Sequence, residues 1–204
     1  MLEYLIAAPV ASAIFAITLI TSLFAFYNEE FYSRATLHPY SVSRGTRIYT
    51  LITSGLIHRD WSHLFFNMLS FYFFAFQLEA GYLGHWQFGV LYAASLILSD
   101  LPTVQKHKND LWYHSLGASG AISAVIFSFI LFSPLSKMYL MFIPVPIPAI
   151  LFGVLYLVYC AWASKNSRDN INHDAHFFGA ISGLAITIIL YPHIIPMFLQ
   201  QFGL

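Results

Sequence analysis

Six stretches of this chain are apolar over most of the length a helix needs to cross a bilayer: about Tyr4 to Tyr27, Trp61 to Leu78, Trp86 to Leu101, Leu111 to Phe132, Ala149 to Ala163 and Ala175 to Tyr191. A hydrocarbon layer about 30 Å thick takes about 20 helical residues to cross, and within lipid every backbone polar group must be paired internally. The runs therefore predict an all-α, polytopic membrane protein, a six-transmembrane-helix bundle forming one domain over residues 1–204. With 58% hydrophobic and 9% charged residues, the chain is far from the roughly 25% charge of a soluble domain. Met1-Leu2-Glu3 puts no basic segment before the first run and no clear cleavage signal follows, so that run reads as a retained span. Nine Lys/Arg balance nine Asp/Glu, which leaves no basic field for nucleic acid, and the lone Cys160 has no partner for an internal disulfide.

Polar segments 28–60, 102–110 and 164–174 fall on one face of the membrane, and the connections near 79–85 and 133–148 on the other. Ile48 to Ile57 is apolar but too short to span, so it is expected to lie in the interface or re-enter. Pro144, Pro146 and Pro148 prevent a continuous helix there and place the start of the fifth span near Ala149. The tail from Pro192 is expected to be interfacial. Spans two, four and six run in the same direction, and polar residues gather at their N-terminal ends: His63 and Asn67, then Ser119, then His176. Ser119 lies eight residues beyond Leu111, which predicts a depth of about 12 Å along its helix.

An ionisable or polar group inside a membrane is costly, so each of these asks for a partner. Gly117-Ala118-Ser119-Gly120 exposes its hydroxyl between residues with almost no side chain, although Gly117/Ala121 and Gly120/Ala124 equally make a helix-packing stripe. A serine needs a base within about 2.6–3.2 Å to become a nucleophile. His176 is the candidate, because Gly179 and Gly183 follow it at i+3 and i+7 and leave its helix face bare for close approach to the serine helix. His63 and Asn67, at i and i+4, place two donors on one face, as an oxyanion would require, or as an interhelical hydrogen bond would. Asp174 is about 200° around the helix from His176 and a poor orienter, so a dyad is expected rather than a triad. His58, His63, His173 and His176 raise the question of a metal. No H-E-x-x-H motif or paired intramembrane carboxylates accompany them, and neither a metal nor a cofactor is expected.

In order along the chain stand His58, His63-Leu-Phe-Phe-Asn67, Leu78-Glu79, Leu91-Tyr-Ala-Ala-Ser95, Gly117-Ala-Ser119-Gly120 and Ala175-His176-Phe-Phe-Gly179. Together they resemble the rhomboid family of intramembrane serine proteases, over about Thr53 to Gly183. The resemblance implies a six-helix bundle that cleaves a transmembrane helix of a membrane-protein substrate within the lipid bilayer. It makes Ser119 the nucleophile and His176 the base, with His63, Asn67 and the Ser119 amide binding the oxyanion. Gly117, Gly120, Gly179, Gly183, Glu79 and His58 take supporting roles. Two positions depart from the pattern: many members carry Trp-Arg where Tyr49-Thr50 stands, and many carry a tyrosine beneath the histidine ring where Ser123 stands.

Eight of the nine basic residues lie on the site face, which the positive-inside rule would place in the cytoplasm, with only Lys137 opposite. The resemblance implies the reverse: a multi-pass protein of the cell (inner) membrane, both termini cytoplasmic and the site open to the extracytoplasmic side. That orientation is the expectation followed here. The rival readings are a proteolytically inactive rhomboid-like protein that binds and routes membrane helices, and a transporter. Retention of Ser119 and His176 weighs against the first, and the lack of matched halves or broken helix pairs against the second.

Overall fold

The computed structural model describes residues 6–140 and 143–204, so Tyr4 and Leu5 of the first apolar run lie outside the described residues. Among those residues six helices have 14 or more residues: α1 (Pro9–Tyr27), α2 (Trp61–Leu78), α3 (His85–Lys106), α4 (Ser119–Phe132), α5 (Ala149–Asn166) and α6 (His173–Leu190). By length and composition α1, α3, α5 and α6 can each cross a membrane, while α4 is a shorter apolar helix. Helix α2 has the length but carries Ser62, His63, Asn67, Ser70 and Gln77. Large apolar side chains such as Ile20, Phe24, Phe73, Val158 and Trp162 point outward, as a lipid-facing belt requires.

Not everything is helical. The connection between α4 and α5 forms a two-stranded antiparallel hairpin, β1 (Lys137–Leu140) and β2 (Ile143–Pro148), at the end of the bundle away from the α4 N-terminus. Pro148 stands opposite Lys137 and Pro146 opposite Tyr139, and Pro144 falls where the register shifts between Tyr139 and Leu140. Ile48 to Ile57 folds as a single helical turn, Thr50–Thr53, followed by a 3-10 turn, Ser54–Leu56. The tail forms a short helix, Ile194–Gln200, whose Ile194 is buried in the main core.

The largest departure from the expected boundaries is at α4. Residues Leu111–Ala118 are not helical, and Ser119 is the first residue of the helix rather than two turns into it. Their backbone is paired instead with the first loop. Leu37 and Ser115 exchange N–H···O bonds of 3.0 and 3.2 Å, and the Gly117 N–H donates to the Ser54 carbonyl at 2.9 Å. Gly117 has φ 115°, a left-handed conformation that turns the strand-like segment into the helix and that a side chain would oppose. Helix α3 extends past the expected Leu101 to Lys106 with Pro102 inside it, α5 to Asn166, and α6 begins at His173.

Helix α6 makes its most extensive contacts with α4 and then with α3. A Cβ placed on Gly179 would collide with the Gly120 carbonyl, and one on Gly183 with the Ala124 carbonyl, so the two backbones touch. Gly120 in turn faces the Ser99 hydroxyl of α3. Helix α1 is fastened at both ends. The buried Glu79 carboxylate accepts the Val10 and Ala11 N–H groups (3.0 and 2.6 Å), satisfying donors the first helical turn would otherwise leave bare. At the other end Ser22 and His58 are hydrogen-bonded at 3.0 Å.

Overpacking a filled interface costs about 1–3 kcal/mol, and more where the obstacle is backbone. Gly183→Val is therefore expected to lower the melting temperature in detergent sharply or prevent folding. Gly81→Ala, where a Cβ meets nothing within 4 Å, is expected to melt with the parent. Equal melting of all three proteins by intrinsic fluorescence would contradict the close α4–α6 contact.

Candidate active site

Three helix N-termini converge on one cavity of about 780 Å³ whose lining includes His63 and Asn67 from α2, Ser119 and Gly120 from α4, and His176 from α6. Its wall also includes Ser99 and Asp100 of α3, the loop from Trp112 to Gly117, Tyr32 and Arg59 of the first loop, and Asp169 to Asn172 before α6. His176 Nε2 and Ser119 Oγ are 2.7 Å apart. The contact follows from the bare faces of α4 and α6, which let two side chains one turn from touching backbones meet directly.

Two of the three ends are held by side-chain caps. Asp60 caps α2, its carboxylate accepting the His63 N–H at 2.8 Å. That bond, reinforced by the Arg59 side chain, holds the Asp60 carboxyl below the usual carboxylate range. Asn172 caps α6 through the Ala175 N–H (3.0 Å), while its amide nitrogen donates to Thr103 of α3 (3.0 Å) and Ser115 of the loop (3.1 Å). One residue thereby fixes α6 against both neighbours. Helix α4 is the exception: Ala118 offers no side-chain cap, so the first N–H groups of the helix, that of Ser119 among them, lack an intrahelical acceptor beside the cavity. An anion formed next to Ser119 would meet the positive end of a helix dipole.

His58 holds the loop that delivers the serine. Its Nε2 lies 3.5 Å from the Ala118 N–H, its Nδ1 3.0 Å from Ser22 Oγ, and Ser22 donates onward to the Leu56 carbonyl at 3.2 Å. Only a neutral ring with its proton on Nδ1 satisfies the whole chain. Burial, and then the neighbouring His63, push the His58 pKa from 6.5 to about 3. The His63 ring packs on Gly117, within 2.7 Å of where a Cβ would stand. Its Nδ1 lies 3.5 Å from the Arg59 N–H, which leaves Nε2 to carry the proton as a donor. One hydrogen of the Asn67 amide is given to the His63 carbonyl at 2.9 Å, and the amide has a second. Glu79 lies at the far end of the bundle, where it anchors α1 and accepts from or pairs with His85 Nδ1 at 2.7 Å. Asp174 faces away from His176, bonded to Lys106 and Ser164.

A family model described as the rhomboid domain matches residues 45–193. The chain belongs to the rhomboid family. It is an integral membrane protein, with at least the four apolar helices named above. Among curated relatives, it is 28% identical to RHOMBOID-like protein 12, mitochondrial, of Arabidopsis thaliana over 76% of this chain and 50% of that protein. A Bacillus subtilis protein named as a candidate rhomboid protease, YdcA, is 33% identical over 68% of this chain and 65% of its own length. Rhomboid protein 1, mitochondrial, of Saccharomyces cerevisiae is 31% identical over 66% of this chain and 40% of its own. The chain thus spans between two fifths and two thirds of the relatives it matches.

Near both positions that depart from the rhomboid pattern stands a residue of the type expected there. A ring does lie beside His176, but it comes from α5: Tyr156 is near-parallel to the imidazole (20°) with centroids 6.3 Å apart. The tyrosine hydroxyl is hydrogen-bonded at 2.8 Å to Ser123, the residue standing where the family's tyrosine is usual. In the first loop an arginine stands at 47. It adopts φ 53° and donates to the carbonyls of Ser33, Arg34 and Thr36 at 2.6, 3.1 and 3.2 Å. Neither residue was singled out by sequence reasoning. Arg47 had a signal, a basic residue three positions before the expected one, whereas Tyr156 had none.

The His58 chain carries a pH dependence. The unfolded ring charges near 6.5 and the folded one near 3, so the unfolded state binds more protons throughout that window and stability falls as pH drops through it. The melting temperature in detergent is expected to decline below pH 6.5, and His58→Gln, though less stable at neutral pH, to show a shallower decline. Parallel pH profiles for the two proteins would remove His58 from this role.

Proposed function

We propose that this rhomboid is an intramembrane serine endopeptidase that cleaves transmembrane segments of membrane proteins through a Ser119–His176 dyad. The observation carrying the reading is the 2.7 Å contact of His176 Nε2 with Ser119 Oγ beside an uncapped helix N-terminus. His176 accepts the serine proton as Oγ attacks the scissile carbonyl, giving a tetrahedral oxyanion. The Ser119 N–H, the free Asn67 amide hydrogen and His63 Nε2–H are the donors available to it. Collapse expels the amine, which takes the proton from His176. A water entering from the loop end then repeats the sequence, His176 accepting its proton, and frees Ser119 as the acid product. Protons balance using side chains alone.

The substrate is read as a membrane-spanning helix whose carbonyls are shielded by helical hydrogen bonds, so it must unwind locally to be attacked. Six spans, counting α2 and α4 with the four more apolar helices, place both termini on one side. The site is proposed to open to the extracytoplasmic side of the cell membrane, against the distribution of Lys and Arg. Tags on each terminus, tested for accessibility in intact cells, check the orientation. An inert helix-routing role finds no support in a serine and a histidine at hydrogen-bonding distance.

A fluorophosphonate probe acylates activated serines and reads the dyad directly. Labelling of the purified protein is expected, and its loss in Ser119→Ala and His176→Ala; labelling that survives either change sinks the mechanism. Tyr156 is a positioning residue for His176. Tyr156→Leu is expected to lower kcat on a transmembrane substrate by about 10–100-fold, as a misplacement of about 1 Å does, with KM nearly unchanged. Tyr156→Phe, which keeps the ring, is expected to retain most of the rate. Equal rates in Leu and Phe variants would deny the ring a role.

A further inference from the structure

Behind the dyad, on the side away from Ser119, lies a cluster that the proposed hydrolysis does not use. Cys160 Sγ of α5 and a ring nitrogen from each of His173 and His176 of α6 lie within 4.8 Å of one another. Cys160 is fully buried and His173 is 4% exposed. The His173 ring is oriented by Asp169, whose carboxylate oxygens are both 3.1 Å from Nε2. Its other nitrogen, Nδ1, is buried without a hydrogen-bond partner. A buried, unpaired ring nitrogen costs free energy, and native structures rarely leave one so without reason. His176 Nε2 is committed to Ser119, so Nδ1 is the nitrogen free on that ring as well.

We infer that Cys160, His173 and His176 form a binding site for a thiophilic divalent cation, zinc in the first instance, and that its occupation switches the proposed protease off. Three donors of this kind, one thiolate and two imidazoles, are a zinc set, with water completing a tetrahedron. The thiolate favours zinc over magnesium or calcium. A carboxylate on the far nitrogen of a ligating histidine is the usual outer support of such sites, and Asp169 supplies it. Tetrahedral bonds of about 2.0 Å to nitrogen and 2.3 Å to sulfur put the donors about 3.5 Å apart, so each side chain closes by about an ångström. A small cavity of about 120 Å³ lined by His107, Ser164 and Asp174 reaches one member of the cluster, His173.

The switch follows from proton placement and rests on the dyad reading above. As a base, His176 carries its proton on Nδ1 and offers the Nε2 lone pair to Ser119. A cation on Nδ1 needs that lone pair, so the ring proton moves to Nε2. The ring then donates to Ser119 Oγ and has no site left to accept the serine proton. The Cys160 thiol proton is released to solvent on binding, and Asp169 offsets the remaining positive charge.

Cobalt(II) reads the site without reference to activity. Titrated into the full chain in detergent micelles, it is expected to give thiolate-to-cobalt absorption in the near ultraviolet and intense four-coordinate bands in the visible. Zinc is expected to bleach both. Cys160→Ser and, as a second variant, Cys160→Ala are expected to lose the thiolate band, and Asp169→Asn to weaken affinity about 10–100-fold. Absence of the spectrum in the parent protein, or its survival in both cysteine variants, overturns the site. Saturating zinc is expected to suppress fluorophosphonate labelling of Ser119, with recovery on adding a chelator, and the ratio of labelling with and without zinc to approach one in Cys160→Ser. Labelling of the parent that zinc leaves unchanged while the cobalt spectrum is present overturns the switch. A cobalt spectrum in a protein never labelled under metal-free conditions overturns the switch together with the dyad and leaves the ion site standing.

Discussion

Backbone contact between α4 and α6 is the constraint on which the rest of this molecule depends. Gly179 lies against the carbonyl of Gly120 and Gly183 against that of Ala124, so no side chain separates the two helices there. In lipid there is no hydrophobic force to draw helices together, and close van der Waals contact between small residues takes its place. Once the axes are that near, a serine at the first position of one helix and a histidine at the fourth of the other meet without either chain bending. The third wall, α3, reaches the same contact with a hydroxyl, Ser99 facing Gly120. The site thus arises from small residues that let the two backbones touch.

A second layer keeps the loops in step with the helices. The segment before Ser119 owes its path to bonds with the first loop: Leu37 to Ser115, Ser54 to Gly117 and His58 to Ala118. Asn172 binds the α6 cap to α3 and to that same segment. The elements nearest the cavity are therefore joined by hydrogen bonds between loops, whereas at the far end Glu79 holds the N-terminus of α1, Tyr82 is bonded to Ser133 and Gln201 donates to the Phe132 carbonyl.

What could be read from the amino-acid order follows a physical division. The bare faces of α4 and α6 were legible, because Gly179 and Gly183 at i+3 and i+7 from His176, and the small pairs Gly117/Ala121 and Gly120/Ala124, are local spacings that survive any tertiary arrangement. The shared depth of His63, Ser119 and His176 was legible too, since helices that run in the same direction bring their N-termini to one surface. The start of α4 was not. Leu111, Trp112 and Leu116 make a loop look like a membrane helix, and only Gly117, with its left-handed backbone, betrays it. Ser119 therefore acquired its helix-terminal amide without any hint from hydropathy. The prolines at 144, 146 and 148 announce only that no helix continues there, and the hairpin they join is not legible, because a proline argues against a strand as well. Tyr156 was beyond reach altogether. Helix α5 is apolar around most of its circumference, so nothing in its periodicity fixes which face meets His176.

That tyrosine has an evolutionary consequence. The ring beside His176 and the small hydroxyl at position 123 occupy one volume between them, with Ser123 and Tyr156 joined oxygen to oxygen. A change at either position therefore bears on the other. Column-by-column comparison would score Ser123 as the loss of a feature, whereas in space the feature has changed address.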